Sequence, residues 1–197
     1  ARVEGQGSLD IKVSGGKVEY AKFGIFEPPR FFEAFLVGRR CDEVHELTSR
    51  ICGICPVAHQ LTALRAVENA LGIEVSQQTR DLRRLFALSA HISSHVLSLY
   101  FLSAPDYFGH ESIIPMARSN PDIFKRALVL KKVGNDLTEL IGGRSVHPIS
   151  AVVGGFTALP DRDGLRAIGA RLIEAKGDAL RDVELFNNLE IPPFERR

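Results

Sequence analysis

A chain of 197 residues, 45% hydrophobic and 25% charged, is long enough for one packed core and ordinary enough in composition to be globular. Its formal net charge of +1, with no block of like charges, excludes an argument for a nucleic-acid partner or an anionic membrane surface. Its 3 cysteines, two of them in one Cys-x-x-Cys, exclude a disulfide-framed secreted scaffold and fit a reducing compartment where thiolates hold metal. No apolar run in the sequence reaches the roughly 18–20 residues expected of a membrane span. The opening Ala1-Arg2-Val3-Glu4-Gly5 is no signal peptide, so a cytoplasmic location is expected.

The expected fold is α+β and mainly helical, with a β-hairpin region over residues 1–28 and a helical region over 29–197. Leu9, Ile11 and Val13 alternate with polar neighbours, and Ser14-Gly15-Gly16-Lys17 supplies a turn that tolerates positive φ. Val18, Tyr20, Phe23 and Ile25 predict a return strand with one register change, ended by Glu27-Pro28-Pro29. Short helices are predicted over Phe31–Val37, stopped by Gly38, and over Val44–Ser49. Pro56 opens a helix whose apolar residues Leu61, Leu64, Val67 and Leu71 recur at helical spacing up to Gly72. Ser76 caps a predicted helix over Gln77–Ser103, which Pro105 should stop. Pro121 begins another that Gly142-Gly143 closes, and Asp161 or Asp163 caps a last one ending near Asn187-Asn188. The final Ile191 to Arg197 shows no closing element, so the chain is expected to stop mid-protein.

Chemistry concentrates in Arg50-Ile51-Cys52-Gly53-Ile54-Cys55-Pro56-Val57-Ala58-His59. Two thiolates three positions apart can reach one metal, because the intervening glycine lets the backbone turn. Cys55 lies at the positive end of a helix, which favours thiolate over thiol. His59, one turn on, is placed to donate a hydrogen bond to a cysteine sulfur. A Cys-x-x-Cys by itself is also compatible with half a zinc site or with a redox pair. The zinc reading would have to recruit His59 and Cys41. The redox reading expects a preceding strand, where this sequence predicts a helix.

Arg-x-Cys-Gly-x-Cys-x-x-x-His resembles the amino-terminal signature of [NiFe] hydrogenase large subunits. Four further segments fall in that family's order. They are Arg2-Val3-Glu4-Gly5; Arg30-Phe31-Phe32-Glu33, similar to Arg-Gly-Phe-Glu without its glycine; His91-Ile92-Ser93-Ser94-His95 followed by Asp106; and Gly142-Gly143-Arg144-Ser145-Val146-His147-Pro148 followed by Gly154-Gly155. Cys55-Pro56-Val57-Ala58-His59-Gln60 looks like the cytoplasmic multi-subunit branch, whose partners reduce NAD(P), a deazaflavin or sulfur compounds.

The resemblance implies an oxidoreductase acting on H₂ and protons at a Ni–Fe centre whose iron carries CO and CN in the complete enzyme. Cys52 would be a terminal nickel ligand and Cys55 a bridge between nickel and iron. Glu4 would carry protons, and Glu33 would hold a separate Mg²⁺ or Fe²⁺. Arg50, His59 and His147 would surround the ligands. Arg144 is expected as an internal ion-pair partner, Cys41 as a structural or surface thiol, and His91 and His95 as hydrogen-bonded residues rather than metal ligands. The implied partners are an iron–sulfur small subunit, further electron-transfer subunits and a carboxy-terminal part bearing a second Cys-x-x-Cys. This chain, holding only the first pair, is expected to be inactive when isolated. The alternatives are a non-catalytic zinc- or redox-binding module and an assembly or scaffold piece.

Overall fold

The computed structural model describes residues 6–26 and 29–190. The chain divides into two compact units, Ala1–Arg39 and Arg40–Arg197.

In the first unit, β1 (Gly7–Ser14) pairs antiparallel with β2 (Lys17–Ile25), and α1 spans Pro29–Leu36. Gly15 and Gly16 take φ of 56° and 76°, which a two-residue turn matched to the strand twist requires. The register shift lies between Lys12 and Val13, opposite Val18–Tyr20, and not between Tyr20 and Phe23, where the return strand's alternation changes phase. Pairing sets Leu9 against Phe23, Ile11 against Ala21 and Val13 against Val18, so apolar residues meet across the strands. These side chains stay exposed, Leu9 at 61% and Val18 at 63%. A two-stranded sheet in water is marginally stable at best. In α1, Phe31 packs edge-on against Phe35 at 4.7 Å between ring centres.

The second unit is a helical bundle. It comprises α2 (Val44–Ser49), α3 (Pro56–Leu71), α4 (Gln77–Val96), α5 (Ala104–Tyr107), α6 (Ile113–Ser119), α7 (Pro121–Gly142) and α8 (Arg162–Asn187), with a small hairpin of β3 (Ala151–Val152) and β4 (Gly155–Phe156) before α8. The ends follow local chemistry. Ser76 Oγ accepts the Thr79 N–H at 3.1 Å, and Asp161 accepts that of Gly164 at 2.7 Å. Gly72 and Gly143 leave their helices in the left-handed region. Leu64, Phe86, Tyr100, Leu137 and Ile141 are each at most 1% exposed and form the centre of the core, with α4 and α7 packed together.

At Gly134, α7 approaches the α4 backbone closely. A Cβ there would lie 2.9 Å from the Ser93 nitrogen and 3.1 Å from the Ser89 carbonyl oxygen, both backbone atoms that cannot swing aside. Around it runs a polar seam. Ser89 Oγ meets Thr138 Oγ1 at 2.8 Å, and Lys131 Nζ donates to Ser93 Oγ at 2.7 Å, which in turn donates to Asn135 Oδ1 at 2.6 Å. Glycine to alanine inside a helix ordinarily stabilises by about 0.5–1 kcal/mol. At Gly134 the sign should reverse, with Gly134→Ala losing about 1–3 kcal/mol through overpacking in denaturant unfolding. A stabilised variant would show that the two helices separate freely.

Three expectations need correction. Pro105 does not stop the helix. The chain passes from α4 through a π-helical stretch, Leu97–Ser103, into α5, with the Ala104 N–H bonded to the Leu99 carbonyl five residues back. The wider turn takes in a proline that an α-helical ladder would reject. The same continuous run, Gln77–Tyr107, is long and apolar enough to cross a membrane by length and composition, contrary to the expectation that no run reaches that length. Residues 85–105 carry no Asp, Glu, Lys or Arg, and interspersed serines and histidines disguise the run. Phe86, Val96 and Tyr100 of this run sit in the core with residues of α7, while Leu88, Leu99 and Leu102 are exposed. Arg144, finally, is exposed. The buried pairs are instead Arg83 with Glu68, and Arg126 with Asp182, both at 2.6 Å.

Candidate metal centre

The cysteine loop, residues 50–55, joins α2 to α3. Cys55 caps α3 with Pro56 at its first position, and the His59 N–H bonds to the Cys55 carbonyl at 3.3 Å. Helical spacing therefore returns His59 to the side of the cysteines. The ligand atoms of Cys52, Cys55 and His59 all lie within 4.8 Å of one another. The two cysteines are joined as a disulfide with Cα atoms 5.5 Å apart, and the Cys55 N–H points at Cys52 Sγ, 2.9 Å away. Both sulfurs thus converge on one side of the loop. An oxidised pair and a metal-bound pair are alternative states, because a metal takes thiolates.

The loop is clamped at both ends by the segment after α7. His147 Nδ1 donates to the Ser49 carbonyl at 2.9 Å, just before the loop, and Gln60 Nε2 donates to the Pro148 carbonyl at 2.8 Å, just after it. Ser49 is 1% exposed and Gln60 0%. Among the described residues His147 is the non-glycine with positive φ, 50°. That conformation is uncommon for a side-chain-bearing residue and persists where its surroundings hold it. Gln60 and Ser49 are members of this clamp that sequence reasoning misses. The available signal is a glutamine in an apolar stripe, three residues after Val57 and four before Leu64.

Cavities flank the loop. One is lined by Ile54, Cys55, Val57, Ala87, Ala90 and His91. The other includes Gly53, Ile54, Ser93, Lys131, Asn135 and Ser145. Burial lowers the pKa of the Lys131 ammonium below its ordinary value.

Of the remaining sequence candidates, Glu4 lies outside the described residues. Glu33 is exposed on α1, and the only metal-capable cluster among the described residues is Cys52, Cys55 and His59. Arg50 is exposed and paired with Glu46 at 2.8 Å. Cys41 is an exposed free thiol. His91 and His95 are exposed with rings stacked edge-on at 5.8 Å, and His91 bonds to the Ala87 carbonyl at 2.8 Å.

A sequence model of the nickel-dependent hydrogenases matches residues 30–122, which include the cysteine loop. The chain is 40% identical to the alpha chain of sulfhydrogenase 2 of Pyrococcus furiosus, over 96% of its own length and 46% of that protein's. The chain belongs to the nickel-dependent hydrogenase family. It is 36% identical to the matching component of the F420-non-reducing hydrogenase vhu of Methanocaldococcus jannaschii, again over 96% of this chain and 47% of that protein. Among solved structures, an NAD⁺-reducing [NiFe]-hydrogenase in the H₂-reduced state superposes with a TM-score of 0.88 at 30% identity, covering 95% of this chain and 43% of that one. The hairpin followed by a helical bundle is accordingly the fold of the hydrogenase large subunit. The chain spans about half the length of the curated relatives it matches.

Proposed function

We propose that this chain provides the amino-terminal pair of thiolate ligands, Cys52 and Cys55, to the Ni–Fe centre of a hydrogenase catalysing H₂ ⇌ 2H⁺ + 2e⁻. The observation that carries the reading is the convergence of both sulfurs and the His59 imidazole at the start of α3, in a chain of this family. Thiolate donors suit nickel and low-spin iron. Loading requires the reduced pair, so a dithiol reductant would give the disulfide two electrons and two protons and itself become a disulfide, and the thiol protons would leave as metal binds. When bound, the metals supply Lewis-acid polarisation of H₂.

The chain's own residues do the rest. Cys52 would hold nickel and Cys55 would be shared between nickel and an iron that would carry CO and CN. His59 donates a hydrogen bond to a cysteine sulfur and holds down its basicity. Glu4 accepts the proton released from H₂, and Glu33 holds a Mg²⁺ or Fe²⁺. Arg50, paired with Glu46, stands at the entry to the loop. His147 and Gln60 hold the ends of the loop. Electrons pass to a small iron–sulfur subunit, then to further subunits in a cytoplasmic assembly, a placement supported by the Cys-Pro-Val-Ala-His-Gln signature.

Metal analysis of the complete assembly, purified without oxygen, tests the reading. Nickel and iron together are expected. Zinc alone would favour the second reading, since two thiolates and an imidazole also make a zinc donor set. Residues 1–197 expressed alone should bind no Ni–Fe pair and evolve no H₂, because Cys52 and Cys55 leave it short of thiolates. Hydrogen evolution from that chain would overturn the assignment.

A further inference from the structure

Away from the cysteine loop, the α3–α4 hairpin forms an open pocket of about 450 Å³ lined by Arg65, Glu68, Arg80, Arg83 and Arg84, with Leu61, Ile73 and Val75 as its apolar wall. Helical spacing makes the cluster. Arg65 and Glu68 stand three apart on α3, and Arg80, Arg83 and Arg84 share one face of α4. Four guanidinium groups thus face one carboxylate in a chain whose net charge is only +1.

That carboxylate is already committed. Glu68 takes two hydrogen bonds from Arg83, at 2.7 and 2.6 Å, and one from the Gly154 N–H at 2.8 Å. Arg80 is held by the Val75 carbonyl and by Gln77. The Arg83 Nε–H is buried with no partner. Arg65 and Arg84 are exposed and have no carboxylate partner among the described residues. Like charges gathered in a concave site raise the local potential and draw in an anion.

We propose that this pocket binds a phosphate group, that of a small phosphate ester or of free phosphate. A carboxylate offers two oxygens and one arginine can cover it, whereas a phosphate presents enough oxygens for bidentate bonds from both Arg65 and Arg84. The apolar wall of Leu61, Ile73 and Val75 gives room for the body of an ester. The site is independent of the metal centre.

Calorimetric titration of the purified protein with inorganic phosphate, phenyl phosphate, acetate and a glutamate-rich peptide, at matched ionic strength, tests it. Phosphate should bind and acetate should not. Tighter binding of phenyl phosphate would identify an ester as the ligand, and equal binding would identify free phosphate. The double variant Arg65→Gln/Arg84→Gln, which touches only exposed side chains, should weaken phosphate binding about tenfold or more. Arg166→Gln, on α8, should leave it unchanged. The proposal is overturned if phosphate binds no better than acetate, if the double variant binds as the parent does, or if only the acidic peptide binds, which would give the pocket to a protein partner.

Discussion

Glu68→Leu should lower the unfolding free energy of the second unit by about 3–5 kcal/mol, the cost of leaving one member of a buried ion pair unpaired. The side chains of Glu68 and Arg83 are only 6% and 12% exposed, so water cannot replace the lost partner. The change removes more than a charge pair. The Gly154 N–H loses its acceptor, while Arg83 keeps only the Val152 carbonyl at 3.0 Å, so the β3–β4 turn loses its tie to α3. Burial by itself would raise the Glu68 carboxyl's pKa. The Arg83 hydrogen bonds, the Gly154 N–H and the Arg83 charge outweigh burial and hold it below the ordinary carboxylate value. A folded pKa below the unfolded one means the stabilisation is fully present above the ordinary carboxylate range. It is lost as pH falls through the depressed value. Urea unfolding should therefore show the full deficit near neutral pH and a shrinking one in acid. A second change, Arg83→Met, should restore much of the loss by removing the orphaned cation. A deficit under 1 kcal/mol at neutral pH would mean that the pair is hydrated and does not brace the hairpin.

Local chemistry makes most of the bundle readable in advance. Ser76, Pro56, Gly72, Pro121, Gly143 and Asp161 mark helix ends, and each acts through its own side chain or backbone freedom. The π-helical stretch is not readable, because Pro105 ordinarily signals a stop and only the Ala104 to Leu99 bond shows how the chain passes it. The two-residue strands β3 and β4 are too short for any alternation to register. α6 has seven residues with a proline inside, which masks its period.

The site is legible in a similar, uneven way. Spacing alone places Cys52, Cys55 and His59 together, since one helical turn separates Cys55 from His59. No spacing rule connects His147 to Ser49, 98 residues apart, or Gln60 to Pro148, 88 residues apart. Those contacts exist because the segment after α7 returns across the ends of α2 and α3. Sequence patterns report neighbours along an element, whereas the clamp on the cysteine loop is a long-range product of packing. It follows that the motif around His147 is a structural complement of the cysteine motif even where it offers no ligand.

Replacing either cysteine of the loop should abolish nickel and iron binding in the complete assembly, together with H₂ oxidation and evolution. Serine keeps nearly the shape of cysteine and its hydroxyl can accept the residue-55 N–H as Cys52 Sγ does, while the contacts at the loop's ends, Ile51 N–H to the Thr48 carbonyl, His147 to Ser49 and Gln60 to Pro148, do not involve the sulfurs, so Cys52→Ser and Cys55→Ser should fold as the parent does. What changes is the donor. A neutral hydroxyl is a poor ligand for metals that favour thiolate. Removing either sulfur also removes the convergence on which the reading rests. Three comparisons separate ligand from scaffold. Cys41→Ser should leave metal and activity intact, since Cys41 is an exposed thiol outside the cluster. His59→Gln should cost about 10–100-fold in metal affinity or activity while keeping the fold, as expected of a group that supports a ligand. His147→Ala should fall in the same range through the loosened Ser49 contact, with a lowered melting temperature that His59→Gln does not share. Metal content by mass spectrometry, helix content by circular dichroism and H₂ uptake on the same preparations give the three readouts. If Cys52→Ser and Cys55→Ser both retained nickel and iron at the parent's ratio, the centre would have to be held elsewhere and the loop would be a redox pair.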